Sequence, residues 1–290
     1  MIKTFKDLEK GEYRLKVKIT SLSPTVISLY SNHRHFLIKE MSVEANAVIE
    51  KEYSIALRDA DFQKQDNYRD RELNLVADGD CEWEFELTKE DFATIYTMGD
   101  STVCNQECYD GSPMEHCGGW GQALGMFLGG KYAVSNHAEQ GTHTANCLEC
   151  HLIPVLAQIK KGDKVLCQFG HNDQKQEWLK ADEGYLENLI KIGTMVQKKG
   201  AEFIICTPIN RLIYVEGSLN DYLDNYRDAC FKAGKALGAR VIDLHTFTSE
   251  TYEKMGSEAE NLFYHSPDLD RTHPNDYGAV LIAEFVTKNL

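Results

Sequence analysis

Long hydrophobic runs are missing from this chain. No apolar stretch approaches the roughly 20 residues that a helix needs to cross a bilayer, so no membrane partner is expected. An apolar leader is missing as well. The opening Met1-Ile2-Lys3-Thr4-Phe5-Lys6-Asp7-Leu8-Glu9-Lys10 places charges where a secretory signal needs its hydrophobic segment. A cytoplasmic location is therefore expected for the chain as given, and secretion only if its N-terminus has been trimmed. Basic excess is absent: 31 Lys and Arg stand against 45 Asp and Glu, a formal net charge of -14. A sequence-independent nucleic-acid binder needs a basic surface, so no nucleic-acid partner is expected. Internal repeats and low-complexity segments are also lacking.

Cysteine is present in an odd number, nine, with no leader to suggest an oxidising compartment, and reduced thiols are the expected state. Cys167 and Cys206 lie in apolar runs and read as small buried hydrophobes. Cys147-Leu148-Glu149-Cys150-His151 has the spacing of a haem attachment site. It falls inside a predicted helix, however, with no axial partner indicated. Cys104, Cys108, His116 and Cys117 are all zinc-ligand types, but their spacing matches no standard site. Thiols or an occasional disulfide are the simpler reading for Cys104, Cys108, Cys117, Cys147 and Cys150, and neither a metal nor a cofactor is expected.

At 290 residues the chain is long enough for one large domain or two of moderate size. Residues 1–92 read as a smaller β-sandwich-like domain. Residues 14–19 and 82–87 alternate polar and apolar, residues 53–57 give a third short run, and the polar stretch 59–67 reads as a long loop. From residue 93 to 290 short apolar runs alternate with helical stretches, the pattern of an α/β, doubly wound parallel sheet. Strands are predicted over 94–98, 132–135, 164–169, 203–206 and 240–244. Helices are predicted over 120–128, 144–160, 184–199, 218–237 and 275–290.

Three separated segments then supply the parts of an ester-cleaving site: Gly99-Asp100-Ser101-Thr102, Gly170-His171-Asn172-Asp173 and Asp270-Arg271-Thr272-His273. A serine hydroxyl is a poor nucleophile near neutral pH. It needs a histidine to take its proton, a carboxylate to orient that histidine, and donors for the developing oxyanion. Ser101, His273, Asp270 and Asn172 fill those roles in turn. Asp270 and His273 are too close in sequence to sit on separate elements, so one loop carries both. Each piece has an ordinary alternative: Gly-Asp-Ser is a common turn, Asn172 suits an Asx turn, and Pro274 suits the first turn of a helix. The predicted strands running into Ser101 and Asn172 supply the context that the isolated motifs lack.

These blocks resemble the SGNH or GDSL-type hydrolases. Residues 99–103, Gly119-Trp120-Gly121-Gln122, residues 168–173 and Thr207-Pro208 followed by Arg211 look most like the rhamnogalacturonan acetylesterase branch. The resemblance implies Ser101, Asp270 and His273 as catalytic residues and an oxyanion hole made by Ser101, Gly141 and Asn172. Asp100, His171 and Asp173 then support the loops. Arg211 and Arg271 are local cations suited to an anionic sugar, and Trp120 and Tyr109 read as core and pocket wall or as a sugar-stacking platform. One departure bears on substrate choice: that branch commonly has Arg-Ser after the second-block glycine, whereas this chain has Gly141-Thr142-His143. The expected function is O-acetylesterase activity on an acetylated carbohydrate. An esterase or thioesterase for other acyl groups, and a non-catalytic glycan-binding protein on the same fold, are the alternatives.

Overall fold

The computed structural model describes residues 1–58, 71–106, 112–220, 222–265 and 268–290. The predicted loop 59–67, Cys108 and Tyr109 lie outside them. The N-terminal strands are β1 (Ile2–Phe5), β2 (Gly11–Ser21), β3 (Thr25–Ser31), β4 (His35–Val43), β5 (Val48–Leu57), β6 (Leu73–Asp78) and β7 (Cys81–Lys89). The alternation read in the sequence marks β2, β5 and β7. Leu15, Val17 and Ile19 point inward on β2 while Lys16 and Lys18 face outward, and β2 pairs antiparallel with both neighbours. β1, β6, β3 and β4 form a second sheet that the sequence did not disclose. Its pattern is broken in β3 by register shifts between Ile27, Leu29 and Tyr30, which interrupt the two-residue period on which strand recognition depends. The two sheets share one apolar core that includes Leu15, Val17, Ile19, Leu29, Leu73 and Leu75.

The second half carries β8 (Thr94–Gly99), β9 (Ala133–Asn136), β10 (Lys164–Gln168), β11 (Glu202–Cys206), the short β12 (Tyr214–Val215) and β13 (Ser218–Leu219), and β14 (Arg240–Ile242). Its long strands are parallel in the order β9-β8-β10-β11-β14. Strands buried on both faces read as continuous apolar runs rather than alternating ones, and β8 is buried along its whole length. The pattern change near residue 92 is not a break in the sheet. β5 pairs in parallel with β9 at Ile55 and Val134, so one eight-stranded mixed sheet, β14-β11-β10-β8-β9-β5-β2-β7, runs through both halves.

Helices cover both faces: α1 (Trp120–Ala123), α2 (Thr144–Asn146), α3 (Leu152–Gln158), α4 (Leu186–Lys198), α5 (Asp224–Leu237), α6 (Leu244–Met255) and α7 (Asp276–Lys288). One face packs α3, α4 and α5 on Tyr96, Val165, Cys167 and Phe203. The other packs α1 and α7 on Ile95, Leu166, Ile204 and Cys206. The helix expected over 144–160 is interrupted by a π-type turn at Cys147–His151. The helix expected from 218 begins only at Asp224. Glu216 and Gly217, both at positive φ, instead close the β12–β13 hairpin, a turn geometry that suits two-residue connections. α6 is missing from the sequence reading. Its start is secured by Asp243, which accepts from the Thr246 N–H. In a sheet of this order the chain leaves β8 and β10 in opposite directions, which opens a crevice at their carboxyl ends.

Candidate active site

The crevice begins where β8 ends. A Cβ at Gly99 would lie 2.5 Å from Val103 Cγ2 and 2.7 Å from the Gln168 carbonyl oxygen, so only glycine lets the chain turn here. Asp100 follows, fully buried, and Oδ1 accepts from the Thr102 N–H at 2.9 Å and its hydroxyl at 2.8 Å. Burial pushes its carboxyl up, but His171 and the Thr102 donors outweigh that and hold it below the usual range. The turn built on Asp100 presents Ser101. Ser101 Oγ lies 2.7 Å from His273 Nε2, and His273 Nδ1 lies 2.7 Å from Asp270 Oδ2. Asp270 Oδ1 accepts from the N–H groups of Thr272 at 2.7 Å and His273 at 3.1 Å. Burial opposes ionisation of Asp270, yet the bond to His273 and these N–H donors prevail and bring it down to about 2. An ionised carboxylate only accepts, so His273 Nδ1 donates to it and Nε2 is left to accept from the serine hydroxyl.

The histidine loop is held from both ends. The Tyr264 N–H donates to the His273 carbonyl at 3.1 Å, and the Asp270 N–H donates to the Tyr264 carbonyl at 2.7 Å. Asn275 caps α7, so Pro274 lies before the cap and not in the first turn: Asn275 Oδ1 accepts from the N–H groups of Tyr277 and Gly278, and Nδ2 donates to the carbonyls of Asn261 and Phe263.

Gly141 lies on the loop after β9 with φ +76, a left-handed conformation. A Cβ there would meet nothing within 4 Å, so conformation rather than space selects glycine. The next residues are tied to the loop after β10. Asn172 Nδ2 donates to the Thr142 carbonyl at 3.1 Å, and Asn172 Oδ1 accepts from Lys175 Nζ at 2.9 Å. Asp173 Oδ1 accepts from the Thr144 N–H at 2.9 Å and its hydroxyl at 2.5 Å, while Oδ2 accepts from the Gly170 N–H at 3.1 Å. Burial lifts the Asp173 carboxyl to about 6 against the pull of those Thr144 donors. His171, also buried, has Nδ1 3.2 Å from Asp100 Oδ2 and Nε2 3.0 Å from the Ile209 carbonyl, which ties the Ser101 turn to the segment after β11.

The remaining expected residues divide. Arg211 is half-buried, which lowers its basicity, and its Nε donates to Thr272 Oγ1 at 3.2 Å. The Gln174 amide oxygen, oriented by hydrogen bonding, faces both Nη atoms. Arg271 is more exposed, donating to the Leu212 carbonyl at 3.2 Å and lying 3.4 Å from Glu260. Trp120 is a correction: it is fully buried, and its indole N–H donates to Gln168 Oε1 at 2.9 Å, so it is core and cannot stack on a sugar. Trp178 was not recognised in the sequence. It is 57% exposed, edge-on to His143 with centroids 5.5 Å apart, and so sits beside the Gly141 loop. No pattern in the residues around Trp178 distinguished it from an ordinary loop aromatic. Cys147 is buried and Cys150 exposed, so the two do not face a common ligand, and both, like Cys104, are free thiols. Among the described residues no group of three or more His, Cys, Asp or Glu gathers as metal ligands, and no helix is long and apolar enough to cross a membrane.

The model of the GDSL-like lipase/acylhydrolase family matches residues 97–281. The rhamnogalacturonan acetylesterase RhgT of Bacillus subtilis is 32% identical over 209 residues, which cover 68% of this chain and 88% of that protein. Among solved structures, the YxiM protein of Bacillus subtilis superposes with a TM-score of 0.63 at 23% identity, covering 97% of this chain and 78% of that one. Axe2, an acetylxylan esterase from Geobacillus stearothermophilus, superposes with a TM-score of 0.51 at 17% identity, covering 68% of this chain and 93% of that one. At those identities the two structures bear on the fold alone.

Proposed function

The chain belongs to the GDSL-like lipase/acylhydrolase family and is a serine esterase, and from that premise we propose that it is a carbohydrate O-acetylesterase, rhamnogalacturonan acetylesterase-like. It removes acetyl groups from plant-type poly- or oligosaccharides through an acetyl-enzyme. The observation that carries this reading is the unbroken line from Ser101 Oγ through the His273 ring to Asp270, both contacts at 2.7 Å. Ser101 Oγ attacks the acetyl carbonyl as its proton passes to His273 Nε2. The carbonyl oxygen becomes an oxyanion, which accepts from the main-chain N–H groups of Ser101 and Gly141. An amide has two N–H donors, and Asn172 commits one to Thr142 and keeps the other for the oxyanion. The tetrahedral centre collapses, the sugar oxygen leaves and takes the proton from His273, and the acetyl group remains on Ser101. Water then attacks with the same base, releasing acetate and restoring the serine.

Asn172→Ala tests the oxyanion assignment. Its donor is aimed at charge present only in the transition state, so kcat should fall about 10²- to 10³-fold with KM nearly unchanged. A change confined to KM would make Asn172 a substrate-binding residue instead.

Support for a sugar leaving group comes from the polar surroundings of the nucleophile. Gln106, His143, Gln174 and Arg211 are all on loops at this end of the sheet, and Trp178 offers an exposed aromatic face. A galacturonate-containing backbone is anionic, and the net charge of -14 repels it at long range. Salt screens that repulsion beyond about 8 Å, which leaves recognition to Arg211 and Arg271. Residues 1–92 are read as a sandwich-like accessory domain to the catalytic residues 93–290. Acetate release measured across acetylated pectic, xylan and small-sugar substrates tests the substrate class. On simple esters kcat/KM should be flat or fall from acetyl to octanoyl. Each CH₂ on an apolar wall contributes about 0.8 kcal/mol, so a steep rise with chain length would identify an acyl channel and an esterase for non-sugar groups.

A further inference from the structure

One buried charge cluster plays no part in this mechanism, and it lies directly behind the histidine loop. Asp276, the first residue of α7, is three positions past His273, and its side chain is 2% exposed. Its Oδ1 pairs with Arg34 Nη2, and its Oδ2 lies 3.1 Å from Lys39 Nζ. Both cations come from the N-terminal half, Arg34 from the turn between β3 and β4 and Lys39 from β4, and both side chains are less than a tenth exposed. Arg34 reaches further: Nη1 lies 3.0 Å from His116 Nδ1, and Nη2 donates to the Cys117 carbonyl at 3.3 Å. Cys117 pairs antiparallel with Asn275, and the Gly118 N–H donates to the Pro274 carbonyl at 2.9 Å. One guanidinium thus grips both chains that frame residues 274–276.

Two further observations set this contact apart from an incidental ion pair. Phe36, two residues past Arg34, is fully buried in the core that contains Trp120 and Ile282 and Val286 of α7, so the β3–β4 turn is plugged into the catalytic half. Arg34 also has φ +58, a left-handed conformation that a non-glycine residue keeps only where its surroundings hold it there. Buried ion pairs add little net stability compared with apolar packing of the same volume. What this cluster supplies is a fixed placement for the start of α7.

We propose that Arg34 and Lys39 are positioning residues for His273: by fixing Asp276 they set the distance between the Asp270–His273 loop and Ser101, which makes the N-terminal strands a working part of the catalytic centre. The proposal rests on the Ser-His-Asp reading given above. It concerns geometry rather than substrate contact, so its signature is in kcat. A cavity of about 590 Å³, lined by Arg34, Lys39, His116, Asp276 and Tyr30 among others, adjoins the cluster and allows a small cation to enter.

The test uses Arg34→Gly, which suits the left-handed backbone, with Arg34→Met and Lys39→Met in the full chain. Each variant is assayed on a small acetyl ester, and Ser101 is titrated with a fluorophosphonate. Displacements near 1 Å can cost about 100-fold in rate. The expected results are a fall in kcat of about 10- to 100-fold in Arg34→Gly, KM within twofold of wild type, slower labelling of Ser101, and partial recovery of kcat with added guanidinium ion. Wild-type kcat in folded Arg34→Gly and Lys39→Met overturns the proposal. So does a rise in KM at constant kcat, which would make these strands a substrate surface. If Arg34→Gly does not fold, Lys39→Met is judged by the same kcat and labelling criteria. Ser101→Ala run alongside separates the two readings: if it stays active, the triad fails; if it is dead while the Arg34 and Lys39 variants match wild type, only the positioning role fails.

Discussion

Ser101→Ala is expected to reduce kcat for a small acetyl ester by about 10⁶-fold while leaving the fold unchanged. The hydroxyl it removes is the one held 2.7 Å from His273 Nε2. The turn that presents it is built by neighbours, through Asp100, Thr102 and the Gln106 side chain, which donates to the Ser101 carbonyl at 2.8 Å. Alanine keeps every one of those backbone contacts. His273→Ala should cost about as much, and the double variant little more, because the two groups perform a single step and their losses do not add. Circular dichroism and melting curves close to wild type complete the expectation. Activity within tenfold of wild type in folded Ser101→Ala would exclude the acyl-enzyme route.

Asp270→Asn carries the second largest effect, a loss in kcat of about 10⁴-fold by analogy with the aspartate of serine-protease triads. The new amide can keep its oxygen on the N–H groups of Thr272 and His273, where Asp270 Oδ1 sits. Its NH₂ then faces His273 Nδ1, which must accept rather than donate. The ring proton moves to Nε2 and points at Ser101, so the base can no longer take a proton. The same substitution has a signature in acid stability. Asp270 ionises near 2 in the folded protein and near its ordinary value of 3.8 when unfolded. Its stabilising contribution is therefore fully present above pH 4 and is lost as the pH falls toward 2. The side chain is about a third exposed, so solvent keeps this contribution small. The stability gap between wild type and Asp270→Asn should narrow below pH 4; a gap that widens there would mean that the carboxylate is not held ionised by its partners.

Legibility followed the reach of the interactions involved. Strands β10 and β11 could be read because burial leaves the apolar runs Val165-Leu166-Cys167 and Phe203-Ile204-Ile205-Cys206, and Gly-Asp-Ser followed by Thr could be read because a sharp turn after a strand has its own local chemistry. β3 could not, because its bulges scramble the alternation, and neither could β4, whose Phe36 is buried against helices from the other half rather than within its own sheets. Trp120 and Trp178 make the point with one residue type. Both stand among polar and small neighbours in the sequence, yet one is sealed under the sheet on Gln168 and the other stands open beside His143.

What the sequence by itself determined is the set of groups proposed to react and their elements: a serine after one strand, an asparagine after another, and an aspartate and histidine three residues apart on a single loop. These depend on short stretches whose turn and strand preferences are local. Only the tertiary structure decided that the N-terminal strands continue the catalytic sheet through β5 and β9, and that Arg34 and Lys39 close on Asp276 behind the histidine. The contacts of Arg34 and Lys39 with Asp276 join residues some 240 positions apart. Lysine, arginine and aspartate look alike in a sequence whether solvated or buried, and only the packing of β4 against α7 removes the water that would otherwise separate them.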